Sequence, residues 1–291
     1  MALEHETPQG VGMTAVGVAY VRALETTRRD RSFADPLAAE FVTASGWIPP
    51  DGTEIDQADT SNEIQAYWAT IARWVVVRTR FLDEFSLESA QAGVRQFVIL
   101  GAGLDARAFR LEWPPGVRLF ELDVPDMFNF KEKVLSSTGA TPRCERIVVP
   151  SDLRGDWFSD LLGAGFDAAV PTAWIAEGLL IYLTAEQNEA LITTISDASP
   201  PGSRLAITLG GRGSLEIPGG TDASVSEDAP IASVNAMWKS EAPDDPAAWL
   251  RKHGWNAEVF SARERADAYG RPLPETAPAS AARSLVSAVR R

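Results

Sequence analysis

Apolar residues occur along this chain in two rhythms. Short, mainly apolar runs, Gln96–Leu100, Val117–Leu122, Arg146–Val149, Thr172–Ala176 and Arg204–Leu209, are each followed by a glycine, a proline or an acid. Runs of this length, bounded by turn residues and buried on both faces, read as strands of a parallel sheet. Asn256–Phe260 and Ser284–Val289 supply a sixth and a seventh strand. Upstream, residues 14–93 follow a helical rhythm. Asp35-Pro36-Leu37 starts one helix with proline in the first turn. A second helix spans 62–85 and carries Tyr67, Trp68, Ile71, Trp74, Val75, Val76 and Val77. Between them, Ser45–Thr60 contains Pro49-Pro50-Asp51-Gly52 and reads as a loop. Residues 210–243 are rich in Gly, Ser, Pro and acids, and Asp245–Lys252 resumes a helix. This pattern predicts one α/β domain over 1–291: a helical cap (1–93), a ligand-binding core (94–209), an insert (210–243) and closing elements (244–291).

The strand ends carry the chemistry. The first run leads directly into Gly101-Ala102-Gly103 and a helix-compatible stretch, a strand–turn–helix order that suits a nucleotide-like ligand. A Cβ at those glycines would block close approach of the backbone to an adenosine or phosphate. About 20 residues on, where a ribose-binding acid is expected, the second run ends in Glu121-Leu122-Asp123. A carboxylate there can accept both ribose hydroxyls. Asp123 is favoured because it ends the strand, and Glu121 is the competitor. The alternative is that both acids only solvate the strand end and cap the next helix. The third strand end reaches Asp152 and the fourth reaches Glu177. Gly-x-Gly, Asp, Asp and Glu would together form one polar rim on the carboxyl edge of the sheet, where doubly wound folds bind ligands.

In these blocks the chain resembles the class I S-adenosyl-L-methionine-dependent methyltransferases. Within them it is similar to the leucine carboxyl methyltransferase group, which includes tetracenomycin-type polyketide O-methyltransferases. The matching residues are Arg78–Asp83, Leu100–Arg107, Phe120–Pro125, Ser151–Arg154 and Ala176–Tyr182. The resemblance runs from about Val16 to Leu209. It implies a seven-stranded, doubly wound Rossmann-like sheet with an N-terminal helical cap and a lid insertion after strand five. It also implies S-adenosyl-L-methionine as cofactor and a small-molecule substrate. Gly101, Ala102 and Gly103 would pass beneath the methionine moiety, Asp123 would hold the ribose, and Asp152 and Leu153 would flank the adenine. Glu177 would meet the methionine amino group and Arg78 its carboxylate, which a guanidinium fork matches. Arg80 competes with Arg78, and Arg22 is a second candidate for that carboxylate.

The glycine turn also fits a dinucleotide fingerprint, Gly101-x-Gly103-x-x-Ala106. Against that stand Asp105 inside the turn, the extra acids Asp152 and Glu177, and four tyrosines none of which has a lysine four residues later. A non-catalytic protein that binds the methyl donor is a third reading. Composition narrows the remainder. At 291 residues and 45% hydrophobic, the chain can bury one large core. A net charge of −13 disfavours a nucleic-acid partner. No apolar run is long enough to span a membrane. The single cysteine, Cys144, and the absence of a visible secretory signal fit a reducing cytoplasm. One cysteine and two histidines, His5 and His253, make no metal cluster unaided. Nothing in the pattern sets the oligomeric state.

Methyl transfer from a sulfonium is an in-line displacement in which positioning can supply about 7–11 kcal/mol. An acceptor carboxylic acid, with a pKa near about 4, is already anionic at neutral pH, whereas a phenol near about 10 needs a base. Few histidines therefore favour a carboxylate. Tyr182 is the candidate helper for a hydroxyl, and Arg212 or Arg110 would orient a carboxylate. Ile231–Trp238 reads either as a lid over the site or as an ordinary surface excursion. Tyr67, Trp68 and Trp74 would enclose a planar substrate or simply pack the core.

Overall fold

The computed structural model describes Pro8 and residues 10–48, 63–210, 237–273 and 284–291, with side-chain detail in the third helix from Ala69 onward. Helices α1 (Val11–Thr27), α2 (Ala38–Ser45) and α3 (Glu63–Gln91) precede the sheet. Strands β1 (Gln96–Leu100), β2 (Arg118–Asp123), β3 (Glu145–Pro150), β4 (Thr172–Ala176) and β5 (Arg204–Leu209) follow. Between them lie α4 (Arg107–Arg110), α5 (Pro125–Thr138), α6 (Trp157–Gly163) and α7 (Ala185–Asp197). The chain closes with α8 (Pro246–Lys252), β6 (Trp255–Ser261), α9 (Ala262–Ala268) and β7 (Ser284–Arg290).

The seven strands form one sheet in the order β3-β2-β1-β4-β5-β7-β6. β1 to β5 are parallel, and β7 enters antiparallel between β5 and β6. The order reverses between β1 and β4, so a crevice opens beyond their carboxyl ends. In register, Leu100 stands beside Leu122 on one side and Ala176 on the other, and Asp123 beside Pro150. Gly101, Asp123, Asp152 and Glu177 therefore emerge along one edge.

Strand alternation sends side chains to two cores. Phe97 and Ile99 face one layer with Val77, Phe81 and Leu82 of α3. Val98 and Leu100 face the other with Leu161 of α6 and Leu191, Ile192 and Ile195 of α7. β1 and β4 are buried at every position, which is why their sequences lack alternation. α1 and α2 join a third cluster, where Val16, Ala19 and Phe41 meet Met127, Phe130 and Val134 of α5. The cap is thus packed on the helix that follows β2.

Local expectations meet different outcomes. The second helix begins at Ala38 instead of at Pro36, because Asp35 does not cap it. Asp35 is 1% exposed and turns toward Arg110, whose Nε lies 3.8 Å from its Oδ2. α8 does start as expected, with the Asp245 carboxylate accepting from Ala248 N at 2.8 Å and proline in the first turn. α9 was not anticipated. It is short and polar, and its Ser261 side chain accepts from Glu264 N at 3.5 Å. The expected segments 49–60 and 211–236, with Arg212 and most of the 231–238 lid, lie outside the described residues, as do His5 and the side chains of Tyr67 and Trp68.

Trp174 on β4 is fully buried, packs 5.3 Å from the Phe166 ring, and donates its indole N–H to Ser199 Oγ at 2.9 Å. Trp174→Ala should lose about 3–5 kcal/mol in urea unfolding. A loss below about 1 kcal/mol would mean that the core collapses around the gap.

Candidate active site

The turn after β1 is built for close contact. Gly101 and Gly103 have φ of 64° and 48°, a region unfavourable to other residues. A Cβ on Gly101 would come within 3.0 Å of Leu179 Cδ1, and one on Gly103 within 3.3 Å of Ala15 Cβ. Ala102 N donates to Leu122 O at 2.8 Å, which ties the turn to β2. α1 therefore lies directly over the turn.

Asp123 ends β2 at the rim of the cavity. Its Oδ2 accepts from Gly103 N and its Oδ1 from Val124 N, both at 2.7 Å. Burial raises this carboxyl from its ordinary value, and the two N–H groups oppose the rise. Glu121 is placed differently. It has no exposed surface, and its Oε2 accepts from Lys131 Nζ and Arg146 Nη2, each at 2.7 Å. That acid is used inside the fold, away from the crevice. Asp152 is half-exposed, and the Arg154 guanidinium beside it holds its carboxyl below the ordinary value. Leu153 and the 39% exposed Val124 line the same end of the cavity.

Glu177, one residue past β4, is the electrostatic centre. Its Oε1 accepts from Arg22 Nη2 at 2.9 Å and Arg78 Nε at 3.0 Å, and its Oε2 from Arg107 Nη1 at 2.9 Å. Burial would raise its pKa, but the charges of Arg22, Arg107 and Arg78 hold it well below the ordinary carboxylate range. Arg107 is itself fully buried. It also donates through Nε to Asp83 Oδ1 at 2.9 Å and through Nη1 to Asp105 Oδ2. Gly178 next to Glu177 has φ of 62°, and a Cβ there would sit 3.3 Å from Arg78 Nη1.

These contacts sort the candidates. Arg78 and Arg22 line the cavity. Arg80 instead pairs with Glu84 at 3.0 Å and stacks 4.3 Å over the Tyr269 ring, outside it. Arg110 is not available to orient an acceptor, because both its Nη atoms bind Asp83 at 2.6 Å and it is buried off the cavity. Asp105 in the turn is engaged through both oxygens by Arg107, by its backbone N–H and by its guanidinium. Tyr182 lies in a 3₁₀ turn, Leu180–Tyr182, lines the cavity and donates to Thr14 Oγ1 at 3.2 Å. His253 is remote, with its ring Nε2 2.9 Å from Glu189 Oε1. Two residues escaped the sequence reading. Arg107 was visible as a basic residue two positions after Asp105 at the end of the glycine turn, and Val124 as the apolar residue following the strand-end acid.

The cavity has a volume of about 1660 Å³. One wall is the strand-end rim just described. A second, apolar wall comes from the cap, whose Arg22 and Arg78 belong to the polar rim: Val18, Val21, Ile71, Ala72, Trp74 and Val75. Trp74 is 5% exposed and belongs to the core cluster as well as to this wall. Among the described residues, no His/Cys/Asp/Glu group could hold a metal ion. None of the described helices is long and apolar enough to cross a membrane.

Comparison with known proteins agrees with this architecture. The model of the leucine carboxyl methyltransferase family matches residues 15–196. A protein of Streptomyces avermitilis, named "Putative S-adenosyl-L-methionine-dependent methyltransferase", is 48% identical over 291 residues, covering 99% of this chain and 98% of its own. A relative of the same name from Streptomyces coelicolor is 48% identical over 290 residues, covering 98% and 97%. Among solved structures, one from Streptomyces avermitilis superposes with a TM-score of 0.56 at 16% identity, covering 94% of this chain and 97% of that one. A protein from Thermobifida fusca, titled a "putative methyltransferase", gives 0.51 at 17% identity, covering 94% of each. These structural likenesses establish the shared fold. With its family model matched over well over half its length and relatives nearly half identical throughout, the chain belongs to the leucine carboxyl methyltransferase family.

Proposed function

We propose that this S-adenosyl-L-methionine-dependent methyltransferase acts on an oxygen of a small, partly apolar molecule, at a carboxylate in preference to a hydroxyl. The observation that carries the reading is one continuous cavity of about 1660 Å³ with one polar and one apolar wall. Single-ligand sites are about 300–1,000 Å³, so there is space for a cofactor and an acceptor together.

The polar wall fits the cofactor. Gly101 and Gly103 present a backbone without side chains where the methionine portion would lie. Asp123 is at the rim to accept ribose hydroxyls, in preference to the sequestered Glu121. Val124 and Leu153 offer apolar surfaces to an adenine, with Asp152 at its edge. Glu177 would take the amino group, and Arg78, with Arg22 behind it, the carboxylate. When bound, the cofactor supplies a methyl group on a sulfonium. The chain's own part is then to place an acceptor oxygen and to exclude water, which the apolar wall of Ile71, Trp74 and Val75 favours.

An acceptor carboxylate needs no base at neutral pH, and no histidine lies among the described residues that line the cavity. The cation that would orient it is not Arg110, and Arg212 keeps that role as a candidate. Tyr182 supports the second reading. The residue lines the cavity, and its hydroxyl could hydrogen-bond an acceptor hydroxyl. The polyketide O-methyltransferases that the chain resembles suggest natural-product biosynthesis as the setting.

The demethylated cofactor should bind with micromolar-range affinity, and Asp123→Ala should weaken it by about 1.5–3 kcal/mol in calorimetric titration. Unchanged affinity would remove Asp123 from the ribose site. Arg78→Lys should weaken binding of the same ligand while leaving adenosine, which has no carboxylate, unaffected. Equal losses for both ligands would mean that the substitution acts through folding. Incubating metabolite extract with the enzyme and deuterated-methyl cofactor should label a product that mild base hydrolyses to methanol, as it does a methyl ester. A base-stable label would transfer the assignment to a hydroxyl acceptor.

A further inference from the structure

The two oxygens of Glu177 keep different company. Oε1 accepts from Arg22 and Arg78, both of which line the cavity. Oε2 accepts from Arg107 at 2.9 Å, and Arg107 has no exposed surface. Arg107 is further fixed by Asp105, by Asp83 and by the Thr79 carbonyl at 3.5 Å. Asp83 is in turn gripped by both Nη atoms of Arg110 at 2.6 Å. One side of the carboxylate is thus anchored in the protein interior, and the other faces the cavity.

Burying this many charges gains little stability over apolar packing of the same volume. What such a network provides is a carboxylate held in one orientation. We propose that Arg107 is a positioning residue: it fixes Glu177 through Oε2, leaving Oε1 as the exchangeable oxygen that trades Arg78 for the ammonium of a bound amino-acid moiety. This rests on the reading that Glu177 meets the methionine amino group. In the exchange Arg78 turns to the ligand's carboxylate, and a cation replaces a cation at Oε1. Arg22 on Oε1 and Arg107 on Oε2 then stay and together keep a proton off Glu177, and Arg107 is the one that has no exposed surface and no access to the ligand. The charged and titratable groups around Glu177 are Arg22 of α1, Arg78 and Asp83 of α3, Asp105 of the turn, Arg107 itself and Tyr182, which acts through Arg78.

The test is calorimetric binding of S-adenosylhomocysteine and of adenosine between pH 5 and pH 8. In the wild type the ratio of the two affinities should be flat across that window. Arg107→Gln should lower the ratio about tenfold at pH 8, the loss of one hydrogen bond to a charged group. The ratio should then fall further toward pH 5 as Glu177 gains a proton. Arg107→Lys keeps a positive charge without the fork, so its ratio should drop about fivefold and remain flat with pH. Parallel loss of both ligands with a constant, pH-flat ratio in Arg107→Gln would overturn the proposal and leave Arg107 a purely structural tie. If that variant does not fold, Arg107→Lys decides alone, and an unchanged ratio overturns the proposal. Glu177→Gln separates the two claims. An unchanged ratio there removes Glu177 from the amino group and overturns both. A lowered ratio supports the amino-group contact on which the proposal rests, and the two Arg107 variants then decide the positioning role.

Discussion

A carboxylate withdrawn from water must be matched by cations, or it takes up a proton and ceases to be a carboxylate. Glu177, whose side chain is 8% exposed, is matched three times, by Arg22 of α1, Arg78 of α3 and Arg107 at the start of α4. Each of those elements is held in place by that requirement. α1 must cross the strand edge to deliver Arg22, and α3 must run beside β4 to deliver Arg78. The glycine turn must be tight enough to bring Arg107 beneath the acid. The cap and the sheet therefore share one buried ionic junction at the mouth of the crevice.

The same logic distinguishes two acids that look alike. Glu121 lies within the β2 ladder, beside Ile99 and Val148, where α5 covers it with Lys131 and β3 supplies Arg146. Asp123 ends that ladder, so its carboxylate turns to the backbone N–H groups of Gly103 and Val124 at the cavity rim. Two residues of separation thus divide a sequestered charge from one that a ligand can reach. The apolar wall has a different origin, since Ile71, Trp74 and Val75 come from a helix that also packs on the sheet. That apolar side of the cavity is made from the edge of the core.

The parallel strands and their polar ends were legible because a fully buried strand must be apolar throughout and its ligand-bearing residues must follow it directly. Gly101, Gly103, Asp123, Asp152 and Glu177 all stand at strand ends, and periodicity locates those. The arginines were harder to read. Arg78 and Arg80 both fit the helical pattern, and only the packing of α9, which sets Tyr269 beneath Arg80, shows which one turns inward. Arg110 looked available because its partner Asp83 lies 27 positions away. Asp35 was read as part of a helix start for the same reason, its neighbour Arg110 being remote in sequence. Pairings across such distances belong to the tertiary fold, and local spacing does not contain them.

Glu177 is proposed to form a cation site with one fixed and one exchangeable oxygen. A crystal structure of the protein with S-adenosylhomocysteine tests it most directly. In that complex Arg107 Nη1 should stay within hydrogen-bond distance of Glu177 Oε2, now 2.9 Å. Arg78 should have left Oε1 for the ligand carboxylate, with the ligand ammonium in its place. A ligand whose amino group lies elsewhere, with Arg78 still on Glu177, would contradict it.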